Sequence, residues 1–187
     1  MVHFCNTFIF IQIRLGAVYS ARAPNGGTVA VKVIEINRSG FGPALVESYL
    51  NEVKHLERLR QQSHHVVHIY DFDFDSRSGR GNMSHILQII LYHLLISLAY
   101  IVMELGGENL TNLIQRSRSM HHNRHGPGTY TDPVLRQEAW RQLVSIVRTL
   151  TANGIVHMDL KPDNIIAFGQ TLKIVDLGIS KKANMLG

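Results

Sequence analysis

The stretch GIVHMDLKPDNIIAF, Gly154–Phe168, sets two aspartates, a lysine, an asparagine and a histidine between two aliphatic runs. A second stretch, LKIVDLGIS (Leu172–Ser180), follows after Gly169-Gln170. Read together they predict a short hairpin with its turn at Gly169-Gln170 and a strand over Leu172–Ser180. That hairpin gathers Asp159, Lys161, Asn164 and Asp176 at strand ends. Phosphoryl transfer needs few kinds of group: oxygen ligands for Mg²⁺, a carboxylate to orient the attacking hydroxyl, and cations against the phosphates. Asp176 and Asn164 are suited as hard-oxygen ligands, Asp159 can accept a hydroxyl proton, and Lys161 and Lys32 can neutralise phosphate charge.

Working outward, the preceding segment predicts a helix that opens at Asp132-Pro133 and ends at Gly154. Its apolar face is Leu135, Ala139, Leu143, Ile146, Val147 and Leu150. Before it, Gln115–Asp132 reads as a polar, His-rich loop. The first third of the chain reads as strands: FIFIQI, AVYSARA and GGTVAVKVIEI, the last two joined by an Asn25-Gly26-Gly27 turn. TVAVKVIEI alternates as a half-buried strand with Lys32 near its middle. Ala44–Arg60 is predicted helical, with Leu45, Tyr49, Glu52, Leu56 and Leu59 on one face. Glu52 is then either a paired buried carboxylate or a stripe-edge residue reaching solvent. VVHIYDFDF (Val66–Phe74) and YIVMEL (Tyr100–Leu105) add two strands.

The 187 residues suffice for one large domain or two small lobes, and a 45% hydrophobic share suits a packed core. Nineteen Lys+Arg against fourteen Asp+Glu give +5, which fits an anionic ligand but is too diffuse to indicate nucleic acid. One cysteine, Cys5, excludes an internal disulfide framework and fits an intracellular, reducing compartment. The apolar start lacks the basic flank of a signal peptide. Ile86–Met103 reaches the lower limit of a membrane span but lacks strong basic asymmetry, so no membrane association is expected. His64, His65 and His68, or His121, His122 and His125, read as loop or strand-end residues before metal ligands.

HMDLKPDN resembles the catalytic loop of eukaryotic protein kinases, with Asp176-Leu177-Gly178 as the metal-binding motif and VAVK as the phosphate-anchoring strand. The resemblance implies an α+β, bilobal protein-kinase fold: an N-terminal antiparallel sheet plus regulatory helix over residues 1–105, and a truncated helical C-lobe over 106–187. It implies ATP and Mg²⁺ as cofactors and proteins as substrates. By the same resemblance Lys32 grips the α/β-phosphates and pairs with Glu52, Asp159 is the catalytic base, Lys161 supports the transferring phosphate, and Asn164 and Asp176 bind Mg²⁺. Val18, Ala30 and Ile166 sandwich the adenine, Met103 is the gatekeeper, and Glu104, Leu105 and Gly106 form the hinge; ordinary core packing is the alternative for each. His157 braces the loop. Lysine two residues after the base is the Ser/Thr or dual-specificity pattern.

Met158 stands where most kinases carry the arginine that binds a phosphorylated activation loop. The monopolar-spindle (TTK) kinases also lack that arginine. ESYLNEVKHLERLRQQS, IYDFDF and VMELG are similar to the same family's regulatory helix, fourth strand and hinge. This implies a dual-specificity kinase of the mitotic checkpoint, with kinetochore and checkpoint proteins as partners, in nucleus, cytoplasm and at kinetochores.

Three features depart from the pattern. Ile11 and Ile13 replace the first two glycines of the glycine-rich loop, leaving Gly16 as the third. Asp75–Ala99 is an atypical insertion, and the chain stops at Gly187. They suggest a fragment or an imperfect gene prediction, with an intron translated as Gly81–Ala99 and a long helix left with an exposed apolar face. Three other readings compete: an inactive kinase-like binding module, a small-molecule phosphotransferase, and a membrane protein built on Ile86–Met103.

Overall fold

Val29 to Ile34 alternate between two buried environments, and the chain builds its larger sheet around them. The computed structural model describes residues 8–13, 16–23, 25–36, 42–74, 98–125 and 133–183. Their packing separates two units, Met1–Lys54 with His68–Leu105, and His55–Val67 with Gly106–Gly187. One unit boundary falls after Leu105, and residues 55–67 group with the second unit.

The first unit is an antiparallel five-stranded sheet in the order β1-β2-β3-β5-β4. Its strands are β1 (Phe8–Ile13), β2 (Gly16–Arg22), β3 (Thr28–Glu35), β4 (Ile69–Phe74) and β5 (Leu98–Glu104). The predicted turn between β2 and β3 forms. Asn25 Oδ1 accepts the Gly27 N–H at 3.0 Å, and Gly26 takes φ +84°. One sheet face carries Ala21, Val29, Val31 and Val102 as a buried cluster. The opposite face carries Val18 across from Lys32, and Ala30 across from Met103.

Helix α1 (Gly42–Leu59) follows β3. All five residues of its predicted face, Leu45, Tyr49, Glu52, Leu56 and Leu59, are buried. The Tyr49 hydroxyl shares its proton between the carbonyls of Asp73 (3.4 Å) and Tyr100 (3.3 Å), tying α1 to β4 and β5. Burial pushes that phenol above its ordinary range.

Two sequence expectations are corrected here. Ala99 is fully buried and in register with both Ile34 and Phe74, so Leu98 and Ala99 belong to β5 and not to an insertion. Residues 75–97 lie outside the described residues. So do residues 14–15, Asp132 and the helix cap expected there. Second, β4 begins at Ile69; Val66 instead makes an isolated parallel bridge to Ile174.

The second unit holds helices α2 (Leu110–His125) and α3 (Pro133–Ala152), the pair β6 (Ile155–Val156) and β9 (Lys181–Lys182), and the hairpin β7 (Ile165–Phe168) and β8 (Thr171–Ile174). The expected loop from Gln115 is helical as far as His125. Asn109 caps α2, its Oδ1 accepting the Asn112 N–H at 2.9 Å, and no Gly or Pro interrupts the chain before Gly126. The predicted strand Leu172–Ser180 ends at Ile174, because Asp176 turns into left-handed backbone at φ +63°.

The buried line of α3 is Gln142, Ile146 and Leu150, at spacings of four. Leu135 and Val147, assigned to that face from sequence, are 67% and 44% exposed, and Val134 and Trp140 are exposed too. Gly154 ends α3 at φ +62°, and its carbonyl accepts the Ala183 N–H at 2.8 Å. Among the described residues no helix is long and apolar enough to cross a membrane.

A Cβ placed on Gly154 meets nothing within 4 Å, so Gly154→Ala tests the backbone conformation alone. The expected cost is about 1 kcal/mol. Thermal unfolding followed by circular dichroism should show a midpoint lower by about 2–4 °C.

Candidate active site

Lys32 sits on a central strand with its side chain on the sheet face that α1 also serves. Its ammonium lies 2.8 Å and 2.6 Å from the two carboxylate oxygens of Glu52, and both residues are almost fully buried. The open choice for Glu52 is thus decided: it is paired, and its face of α1 is the inner one. Val18, Ala30 and Met103 share Lys32's face of the sheet, with Ala30 and Met103 buried and Val18 half-buried. Glu104 ends β5 with its Oε1 accepting the His68 N–H at 2.7 Å, and its own N–H donates to the His68 carbonyl at 3.0 Å. Leu105 follows, half-buried. These residues of the first unit form a cation set in an apolar sheet face.

In the second unit the polar loop is built on its own backbone. Pro162 opens a 3₁₀ turn, Pro162–Asn164, that swings Asn164 back onto the loop. The Asn164 amide nitrogen donates to the Asp159 carbonyl at 2.9 Å and to Asp159 Oδ2 at 3.2 Å. The Lys161 ammonium lies 2.7 Å from the same Oδ2. Lys161, and after it Asn164, hold the Asp159 carboxyl below the usual carboxylate range, and Asp159 in turn raises Lys161. Asp159 therefore stays ionised, with Oδ1 as the oxygen not engaged by these two donors. Asn164, its nitrogen committed, presents its amide oxygen as the remaining ligand atom.

Asp176 lies within electrostatic reach of Lys161 and His157. It arrives there because the Val175 N–H donates to the Asn164 carbonyl at 3.0 Å. His157 binds both halves of this arrangement. Its Nδ1 accepts the Asp159 N–H and its Nε2 faces the Val175 carbonyl, each at 3.3 Å. That pattern requires the neutral ring with its proton on Nε2. Burial lowers the pKa of His157 in the same direction.

Gly106 and Ile166 also meet in this unit. A Cβ on Gly106 would stand 2.4 Å from Ile166 Cγ2 and 2.8 Å from Phe168 Cζ, an approach only glycine permits. The Gly107 N–H to Ala167 carbonyl bond, 2.8 Å, fixes that approach. In the second unit an amide oxygen and a carboxylate are donors suited to Mg²⁺; in the first, Lys32 is a cation suited to a polyphosphate. Among the described residues no three His, Cys, Asp or Glu form a metal cluster. His65 is instead buried, its ring bonded to the Leu172 carbonyl at 2.8 Å. Gln142 was missed by the sequence reading, although its spacing from Ile146 and Leu150 places it on their line.

A comparison with known families makes the class definite: the chain belongs to the protein kinase domain family, which matches residues 14–186. Among curated proteins it is similar to the dual specificity protein kinase Ttk of Danio rerio, at 28% identity over 94% of this chain and 15% of that protein. It is similar to the probable serine/threonine-protein kinase mps1 of Dictyostelium discoideum, at 28% identity over 89% of this chain and 14% of that protein. Cyclin-dependent kinase 4 of Ovis aries is 29% identical over 89% of this chain and 48% of its own length. The chain thus spans about one seventh of the TTK and mps1 relatives.

Glu52→Gln removes the carboxylate of a buried ion pair, and should cost about 3 kcal/mol in urea unfolding. Replacing both partners, Lys32→Met with Glu52→Leu, should recover most of that loss. His157 supplies a pH test. Its folded pKa lies below the ordinary 6.5, so the unfolded chain takes up a proton first as the pH falls. Its contribution is neutral well above pH 6.5 and becomes destabilising below it. His157→Asn should flatten the fall in unfolding midpoint between about pH 7 and 5.

Proposed function

We propose that the protein is a protein kinase that transfers the γ-phosphoryl group of ATP to serine or threonine hydroxyls of protein substrates, with tyrosine also accepted. The arrangement of Asp159 carries this reading: an ionised carboxylate with Oδ2 held by Lys161 and Asn164 and Oδ1 left to accept a proton. In this role Asp159 Oδ1 orients the substrate hydroxyl and takes its proton as the phosphorus–oxygen bond forms. Lys161 sets the carboxylate's rotation and lies beside the transferred group. Lys32, itself oriented by Glu52, binds the α/β-phosphates. Asn164 and Asp176 would hold Mg²⁺, which neutralises charge on the phosphates. Val18, Ala30, Met103, Glu104, Leu105, Gly106 and Ile166 would receive the adenine.

The catalytic-loop sequence, Met158 and the similarity to TTK and mps1 kinases support a TTK-like, dual-specificity kinase of the spindle checkpoint. Kinetochore and checkpoint proteins would be its substrates, and nucleus, cytoplasm and kinetochores its locations. A second reading has its own observation. β1 runs as a strand to Ile13, in register with Gly16, and carries isoleucines where a glycine-rich loop would approach phosphate. It describes a kinase-like module that binds nucleotide without transferring phosphate.

The two readings separate in an assay of the 187-residue chain with MgATP and serine-, threonine- and tyrosine-containing peptides. The kinase reading expects labelled phosphopeptide, lost by about 10²–10⁴-fold in Asp159→Asn while ATP affinity holds. ATP binding by the wild-type chain with no transfer would favour the inactive module.

A further inference from the structure

Strand β8 has one edge turned away from β7, and the backbone groups of Leu172 and Ile174 along it are bonded by three residues. The Leu172 N–H donates to Gln142 Oε1 at 2.7 Å, and the Leu172 carbonyl accepts from His65 Nδ1 at 2.8 Å. The Ile174 N–H donates to the His65 carbonyl at 2.9 Å, and the Ile174 carbonyl accepts the Val67 N–H at 3.2 Å. The main chain at 65–67 thus supplies half of a neighbouring strand, and two buried side chains supply the rest.

The Gln142 amide is oriented from its nitrogen end. Nε2 donates to Glu138 Oε1 at 2.9 Å and to the Gln170 carbonyl at 3.0 Å. Hydrogen bonds from Arg141 and then Gln142 lower Glu138 to about 2, so it accepts as a carboxylate at any working pH. One side chain therefore grips the β7–β8 turn at Gln170 and the strand at Leu172. Two residues beyond β8 stands Asp176, and Val175 between them is already bonded to Asn164. A strand that slips or twists at Leu172 displaces both proposed metal ligands.

We propose that Gln142 and His65 are positioning residues for the metal site: they lock the register of β8 and thereby set Asn164 and Asp176. This rests on the kinase reading above, since it assigns the metal ligands from that reading. Neither residue touches nucleotide or substrate in this account.

The test uses the 187-residue chain with Mn²⁺ as the metal probe. Three quantities are read for wild type and Gln142→Met: hydrogen exchange at the Leu172 amide, Mn²⁺ affinity in the presence of ATP by water-proton relaxation, and ATP affinity without metal. The expected result is faster exchange at Leu172 and roughly tenfold weaker Mn²⁺ binding, the low end for residues that orient metal ligands. Metal-free ATP affinity should stay within about twofold, a split that a general loosening of the fold would not produce. His65→Ala keeps the main-chain bonds of residue 65 and withdraws the ring. It is read by the same criteria and decides the matter if Gln142→Met does not fold. Unchanged Mn²⁺ affinity, or equal losses with and without metal, would overturn the inference while leaving the kinase reading intact. A wild-type chain that takes up no Mn²⁺ with ATP would instead remove the kinase reading, and this inference with it.

Discussion

Two opposite charges, the Lys32 ammonium and the Glu52 carboxylate, are withdrawn from water together and held 2.6 Å apart. Neither is tolerable there without the other, since removing one partner of a buried pair costs roughly 3–5 kcal/mol against a total stability of roughly 5–15. The pair therefore constrains what surrounds it. A one-residue slip of β3 would carry Lys32 to the opposite face of the sheet. A rotation of α1 by one residue would take Glu52 away from it. Register of the sheet and rotation of the helix are thus one constraint, and Tyr49, a turn before Glu52, reinforces it by bonding to β4 and β5.

The second unit solves a different problem with the same means. Its polar loop and its hairpin are short, and side chains stand in for backbone partners. Asn164 bonds Asp159, His157 spans Asp159 and Val175, and Gln142 and His65 complete the edge of β8. Each of these polar residues is buried with its hydrogen bonds made, as burial of polar groups requires. The left-handed backbone at Met158 and Asp176 brackets this region, at φ +68° and +63°. Strained conformations of this kind persist where surrounding bonds over-determine them, and functional sites are where they concentrate.

Much of this was legible from residue order. Alternation in TVAVKVIEI placed Lys32 inside a strand, although Val29–Lys32 are buried on both of its faces and not on one, and the spacing of Leu45, Tyr49 and Leu56 put Glu52 on the inner face of α1. The polar density of HMDLKPDN marked the loop whose residues now bond one another. Other features lay beyond local pattern. The polar run from Gln115 looked like a loop, yet a cap at Asn109 and the absence of breakers carry the helix on to His125. Val175 and Leu177 read as strand because both are apolar, but the turn at Asp176 depends on bonds from Asn164 and His157 that are remote in sequence. Gln142 was passed over because a glutamine on an apolar line reads as an interruption. The same logic that flagged Glu52 as paired would have flagged it too. Leu135 and Val147 were placed by periodicity on a face that, in this chain, begins at Gln142.

The most direct test of the account is a crystal structure of this chain with Mg²⁺ and a non-hydrolysable ATP analogue. The account predicts the metal on Asn164 Oδ1 and the Asp176 carboxylate, the α/β-phosphates on Lys32 Nζ, and Asp159 Oδ1 left free of metal. Nucleotide bound away from Lys32, or a metal held by residues other than Asn164 and Asp176, would contradict it.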